Sequence, residues 1–242
     1  ACLEHFDESW TNSFEVQDKI ADQLVQALCR HLTRFPGGTR SVDAYQLYLA
    51  GLAHAQGIRA DGLSRSVQLF SHALDIDPGY ALAHVGIAES WRRMIFGVDV
   101  APQEVFSHWR SHMTRALELA PALAEAHAQL GWLRYWCDHD WLGAERAFRH
   151  ALSINPSLAH ARFGLGFMLA VIGRCNEGLE FVRQAHELEP MSLLISIVQA
   201  TLMLRAGDAE AAGARIRQEL QIAPQFWVAH AAMAVWHEQH GE

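Results

Sequence analysis

Apolar residues recur along this chain at helical spacing, and prolines cut the pattern into similar lengths. Asp77-Pro78, Ala120-Pro121, Asn155-Pro156, Glu189-Pro190 and Ala223-Pro224 each close an amphipathic stretch: ALDIDP, ALELAP, ALSINP, AHELEP and ELQIAP. Successive prolines lie 43, 35, 34 and 34 residues apart. Proline cannot continue a helix and turns the residue before it away from helical geometry, so each marks a helix end and the start of a new unit. The pattern predicts five units, at 47–80, 81–123, 124–157, 158–191 and 192–225, and a capping half-unit over 226–242. The second unit is longer by about nine residues near Met94–Glu104, where Gly97, Asp99 and Pro102 interrupt the periodicity. Residues 1–46 form a separate N-terminal segment. Within it Phe14, Val16, Ile20, Leu24, Leu28 and Leu32 predict one amphipathic helix over Phe14–Arg34, with Asn12 or Ser13 as its N-cap.

Small and large residues recur with the prolines. Leu130-Gly131 precede Ala144, Phe148, Ala151 and Pro156, and Leu165-Gly166 precede Gly178, Val182, Ala185 and Pro190. Ile87-Ala88 and, less cleanly, Gln199-Ala200 hold the same places in their units. Small residues at fixed positions are what two antiparallel helices need where they cross closely. The spacing resembles the tetratricopeptide repeat over about three-quarters of the chain. The resemblance implies an all-α, right-handed superhelical solenoid of antiparallel helix pairs, five repeats with capping helices. The signature tryptophan of the first helix is mostly replaced: His84, His127 and His230 stand at that position. A fourth histidine in an Ala-His setting, His160, lies nearby. Residues that recur with a repeat are expected to pack.

A second resemblance rests on the string HFDESWTNSFEVQDKIADQLVQAL and on DAYQLYLAG, GLSRSVQLFSHALDIDP, ALAHVGIAES and LAEAHAQLGWLRYWCDHDW after it. Together these look like the C-terminal halves of bacterial winged-helix transcriptional regulators and of nucleotide cyclases with repeat tails. The resemblance implies a regulatory interaction module whose output domain lies upstream. The start at Ala1, without Met, fits a fragment of a longer protein.

In such solenoids the first helices line a concave groove. The inward positions hold Tyr48; Glu89, Arg92 and Arg93; Trp132, Tyr135 and Trp136; Phe163 and Phe167; and Thr201 and Arg205. Aromatic residues and arginines dominate binding hot spots, so these are the candidate contact residues for a protein or peptide partner, a second copy, or an effector. Packing between neighbouring helices is the competing role for Trp132 and Phe167. A solvated charge cluster is the competing role for Glu89, Arg92 and Arg93. The Lys and Asn positions with which related domains clamp acidic chaperone tails hold Val85 and Glu89, Ala128 and Trp132, and Phe163 and Phe167. That clamp is absent. The alternatives are a freestanding scaffold and a small-ligand sensor.

Charge and motifs narrow the classes. The formal net charge is −8, and Lys19 is the only lysine among 19 basic residues. No basic stripe is present to displace counterions from phosphates, so direct nucleic-acid binding is not expected. A Walker-type loop and Schiff-base chemistry have no lysine to use, and no GxSxG or kinase signature occurs. No enzyme activity, cofactor or metal is expected. His108 and His112 have the i, i+4 spacing of two ligands but no HExxH glutamate or third ligand. Cys137, Asp138, His139 and Asp140 fall in an inter-helix turn, where Trp136, Asp138 and Trp141 are expected to stabilise the bend. Cys2, Cys29, Cys137 and Cys175 show no CxxC spacing and read as free thiols. No run of eighteen apolar residues occurs, since Gln199 and Thr201 interrupt the stretch Leu193–Met203, and no secretory leader is visible, since the N-terminus lacks a basic flank and a long apolar run. A cytoplasmic location is the expectation.

Overall fold

A computed structural model describes residues 37–55, 60–95 and 100–240. The expected helix Phe14–Arg34 lies outside the described residues, as do 96–99 of the long second unit. Eleven helices follow one another among the described residues: α1 (Val42–Ala55), α2 (Ala60–Ile76), α3 (Ala81–Met94), α4 (Pro102–Leu119), α5 (Ala124–Leu133), α6 (Trp141–Ile154), α7 (Ala159–Val171), α8 (Cys175–Leu188), α9 (Leu193–Arg205), α10 (Ala209–Ile222) and α11 (Trp227–His240). A one-turn π-helical segment, Arg134–Asp138, extends α5. Among the described residues there is no strand, and no helix is long and apolar enough to cross a membrane.

The repeated turn explains the pairing. Helices α2, α4, α6, α8 and α10 each stop two residues before a proline. The N–H of Tyr80, Leu123, Leu158, Ser192 and Phe226 then donates to the carbonyl three residues back, at 3.0–3.2 Å. Proline at the second position of such a turn supplies the fixed φ it requires. Asp77 and Asn155 reinforce two of the turns by accepting the N–H two residues on, at 3.0 Å. The residue six after the proline closes three of them: His127 Nε2 donates to the Pro121 carbonyl at 2.8 Å, and His230 Nε2 to Pro224 at 2.7 Å. Arg162 does the same to Pro156 with Nε and Nη2, at 3.1 and 2.7 Å. Two of the three histidines that stand where the repeat signature has tryptophan, His127 and His230, thus hold the turn by hydrogen bonds.

The core repeats with the same register. Eight residues before each proline stand Phe70, Met113, Phe148, Val182 and Ile216, all buried; five before stand Ala73, Ala116, Ala151 and Ala185, also buried. The ring of Phe70 fills the space that Gly51 of α1 and Gly86 of α3 leave open; a Cβ on either would lie 2.5–2.9 Å from it. Phe148 is seated in the same way between Gly131 of α5 and Gly164 of α7. One aromatic of a second helix therefore joins its own first helix to the next one. Real Cβ contacts do not come so close, which is why glycine occupies these four places.

Successive first helices (α1, α3, α5, α7, α9 and α11) touch one another, whereas the second helices make no comparable contact among themselves. The first helices therefore form the inner layer, with the second helices splayed outside.

Candidate functional site

The inner layer gathers most of its polar and aromatic side chains where α3, α5 and α7 lie side by side. Arg92 of α3 is buried, 8% exposed, and its guanidinium stands 5.1 Å from the centre of the Trp132 ring. Glu89, one turn earlier, lies 3.6 Å from Arg92 Nη2. Trp132 is 3% exposed, and its Nε1–H donates to His160 Nε2 at 3.0 Å. Indole nitrogen can only donate, so this imidazole nitrogen accepts and the neutral ring carries its proton on Nδ1. Gln129 Nε2 approaches the same nitrogen at 3.3 Å. Burial pushes the His160 pKa down to about 4, aided by the charges of Arg92 and Arg93 against the opposing pull of Glu89. Burial also lowers Arg92, to about 10, against Glu89. For Glu89 desolvation works upward, but His160, Arg92 and Arg93 outweigh it and hold the carboxylate below its ordinary range.

An aromatic set rests on this base. Trp132 meets Phe148 edge-on at 5.5 Å and lies 5.9 and 5.8 Å from Phe163 and Phe167. Tyr135 meets Phe167 at 6.1 Å and Trp136 at 5.1 Å, both edge-on, the preferred arrangement of aromatic quadrupoles. Tyr135, Trp136 and Phe167 are half-buried, whereas Phe163 is 7% exposed. The π-helical turn carries Tyr135 and Trp136; the widened turn ends at His139, in the left-handed region with φ 52°.

The ten expected groove residues therefore divide by depth. Arg92, Trp132 and Phe163 are buried and form a floor. Glu89, Arg93, Tyr135, Trp136 and Phe167 present partly open side chains above it. Arg93 also donates to the carbonyl of Ala55, the last residue of α1, and so ties α1 to α3. Tyr48 lies 5.6 and 5.2 Å from Phe70 and Tyr80; its hydroxyl pKa is raised by burial and by the nearby carboxylates of Glu125 and Glu89. Arg205 is exposed at the end of α9, apart from this cluster. Two members that the sequence reading left out, Gln129 and His160, hold the floor together. His160 sits four residues after its proline, not six like the turn-closing histidines, and that displaced register was a visible signal.

The other chemistry-bearing residues lie elsewhere. His84 and His112 share a hydrogen bond between their Nδ1 atoms at 2.9 Å, while His108 stacks on Trp91 at 4.3 Å. The i, i+4 pair thus splits between two partners. Among the described residues no three His, Cys, Asp or Glu are grouped to hold a metal ion. Asp138 pairs with Arg110 at 2.6 Å, and Asp140 caps α6 by accepting the Gly143 N–H at 2.8 Å. Burial pushes the Cys137 thiol up to about 11, so it is not an activated nucleophile.

No family model matches this sequence, and no curated protein matches it. Solved structures do. The helix pairs, the turn and the inner layer define an all-α solenoid of tetratricopeptide type. Among its neighbours is a thermophilic TPR protein of Thermus thermophilus, with TM-score 0.57 and 18% identity over 80% of this chain and 98% of that one. The human IFIT1 dimer solved with m7Gppp-AAAA superposes with TM-score 0.69 and 17% identity, over 94% of this chain and 55% of that one. PilW, a type IV pilus biogenesis factor, gives TM-score 0.53 and 14% identity over 83% and 95%. At these identities the likeness is one of fold.

Proposed function

We propose that this chain is a binding module that takes an amphipathic protein or peptide segment against the inner wall of α3, α5 and α7. The observation that carries the reading is the layered build of that wall. A buried, hydrogen-bonded floor (Arg92, Trp132, His160) supports half-open Tyr135, Trp136 and Phe167 beside the charged Glu89 and Arg93. Rigid aromatics above a fixed base lose little entropy on binding, and a flanking acid and base set the orientation of what binds.

The test begins with peptides selected on the full chain from a random library. Tyr135→Ala with Phe167→Ala should weaken the best binders at least tenfold while the melting temperature stays within a few degrees. Unchanged affinity in a folded double variant would show that binding occurs elsewhere.

The biological setting we propose is the repeat region of a bacterial signalling or transcriptional regulator. Its support is the sequence string at residues 5–28 and the order of segments after it. Reading the genomic frame upstream of Ala1 tests it: a DNA-binding or cyclase domain in frame is expected, and a start codon directly before Ala1 would remove the proposal.

A further inference from the structure

Arg92 belongs to the floor of the inner wall but stands outside its hydrogen bonds. Its side chain is only 10% exposed, and a guanidinium carries five N–H donors. Among the described residues none of them is answered: Nε is sealed without a partner, and Nη2 lies 3.6 Å from Glu89, beyond hydrogen-bond length. The Trp132 ring covers the flat face of the guanidinium and offsets its charge, but a ring face leaves the N–H edge unmet. Water completes a charge that is open to solvent, as at Glu89, whose side chain is 35% exposed. A buried charged donor without an acceptor is the costlier case. Packing alone does not call for it either, since the corresponding place in the fifth unit holds the buried Leu204. The surroundings are also short of negative charge. Arg93, beside it on α3, donates to the Ala55 carbonyl, which holds the side chain without neutralising it. His160 is neutral, and the charges that bear on Arg92 are Glu89 and Arg93. Glu125 bears instead on Tyr48, and Glu189 feels Glu89. Two guanidinium groups therefore share one carboxylate.

Resting on the reading of this wall as the binding face, we propose that the partner segment carries one acidic side chain, Asp or Glu, within its apolar stripe, and that this carboxylate seats on the terminal nitrogens of Arg92. With Nε sealed, an acceptor can reach only those two nitrogens. Their parallel N–H bonds match the two oxygens of a carboxylate, a fit that neither an ammonium nor a neutral amide reproduces. The incoming charge balances the second guanidinium, so Glu89 and the partner's acid stand against Arg92 and Arg93, two charges of each sign. Arg92 already lies against the indole, and little side-chain freedom is left to lose when the bond forms. The half-buried Tyr135 and Phe167 then meet the apolar residues on either side of the acid. A wholly apolar stripe would cover Arg92 and leave it unanswered, and a basic one would set like charges together. The same arginine therefore selects against both.

The probe is a library of helical peptides with a fixed apolar stripe, in which one stripe position in turn holds Glu, Gln, Lys or Leu, screened on the full chain at physiological salt. Glu is expected to be enriched over Gln by about tenfold or more, the worth of a charge-assisted hydrogen bond, and Lys to be lost. The best Glu peptide and its Gln counterpart are then titrated against Arg92→Leu, which places the residue of the fifth unit at this position. The Glu peptide should fall to the affinity of the Gln peptide, and the Gln peptide should stay within about twofold of its value on the parent. Arg92→Lys keeps the charge and loses the planar fork, so most of the preference for Glu should go with it; this variant gives the answer if the leucine variant does not fold. Equal retention of Glu and Gln by the parent would overturn the proposal, as would a preference for Glu that survives in Arg92→Leu. Loss of that preference in millimolar acetate or phosphate would also overturn it, since Arg92 would then serve free anions. If Tyr135→Ala with Phe167→Ala weakens peptides that show no preference for an acid, this proposal fails and the binding face stands. If that double variant leaves every peptide unchanged, the face itself is wrong.

Discussion

His160 shows how one side chain can couple packing to proton concentration. It accepts the Trp132 N–H and stands near Arg92, so the folded chain requires it neutral. Its pKa falls from the ordinary 6.5 to about 4, and burial drives His84 to about 4 as well. Between those values the unfolded chain binds protons that the folded chain refuses. Stability conferred by the neutral rings is thus complete above about pH 6.5 and is lost as the pH falls toward 4. The loss from His160 is expected to be on the order of 1–3 kcal/mol over that window. Replacing His160 by Gln keeps an acceptor near the indole but removes the titration. Denaturant melts at pH 7 and pH 4.5 should then show a smaller acid-induced loss in the variant than in the parent. An equal loss in both would place the acid sensitivity in His84 and its partner His112. Arg92 belongs to the same scale. It stands fourteen residues after its proline, where the later units carry Tyr135, Ala170 and Leu204. Ala170 and Leu204 are buried, and so is the arginine. Register comparison alone marks it as a charge in an apolar position, satisfied in part by Glu89 and the Trp132 face, with Nε left without a partner.

At the level of elements, a helix joint is made by one ring in a two-glycine socket. Gly164→Ala tests the socket of Phe148 against local propensity. Alanine favours an isolated helix by about 1 kcal/mol, yet its Cβ would overlap Phe148 Cε1. Packing should win, with a net destabilisation of about 1–3 kcal/mol by denaturant unfolding. Combining it with Phe148→Leu should return part of the loss; a stabilised Gly164→Ala would refute the socket. The helical solenoid was legible because prolines, alanines and a large residue recur in fixed register, and each has a single physical use there. The depth of inward residues was not. Glu89, Trp132 and Phe167 all stand eleven residues after their prolines, and periodicity gives all three the same face. Trp132 is nevertheless sealed by His160, Phe163, Phe148 and the Arg92 guanidinium, while Phe167 remains half-open. Depth depends on the neighbouring units, which a pattern within one unit does not contain. The π-turn under Tyr135 and Trp136 escaped notice for a related reason: one extra residue per turn leaves no periodic trace in five residues.

The whole molecule is a stack in which each pair leans only on its neighbours, so damage at an end should stay near that end. The last pair is closed by Trp236 of α11, whose ring lies against Gly213 and whose Nε1–H donates to the Ala209 carbonyl at 2.7 Å. Arg217 covers the ring at 5.3 Å. Trp236→Ala should loosen α9 and α10 first. Hydrogen exchange is expected to rise tenfold or more over 193–222 while α3 to α7 keep their protection. A uniform rise would mean that the chain unfolds as one unit. The clasp on the proline carbonyl bears on the stack in another way. His127, Arg162 and His230 fasten their junctions, but His84 turns to His112, and Ser196 donates to Glu219 at 2.5 Å. The coil is therefore a spring of unequal stiffness. The joint before α3 is held instead by Asp77, which accepts the Gly79 N–H. Under tension or twist strain would therefore collect first before α9, and the three units from α3 to α8, which carry the wall, would travel as a block while the C-terminal end swings.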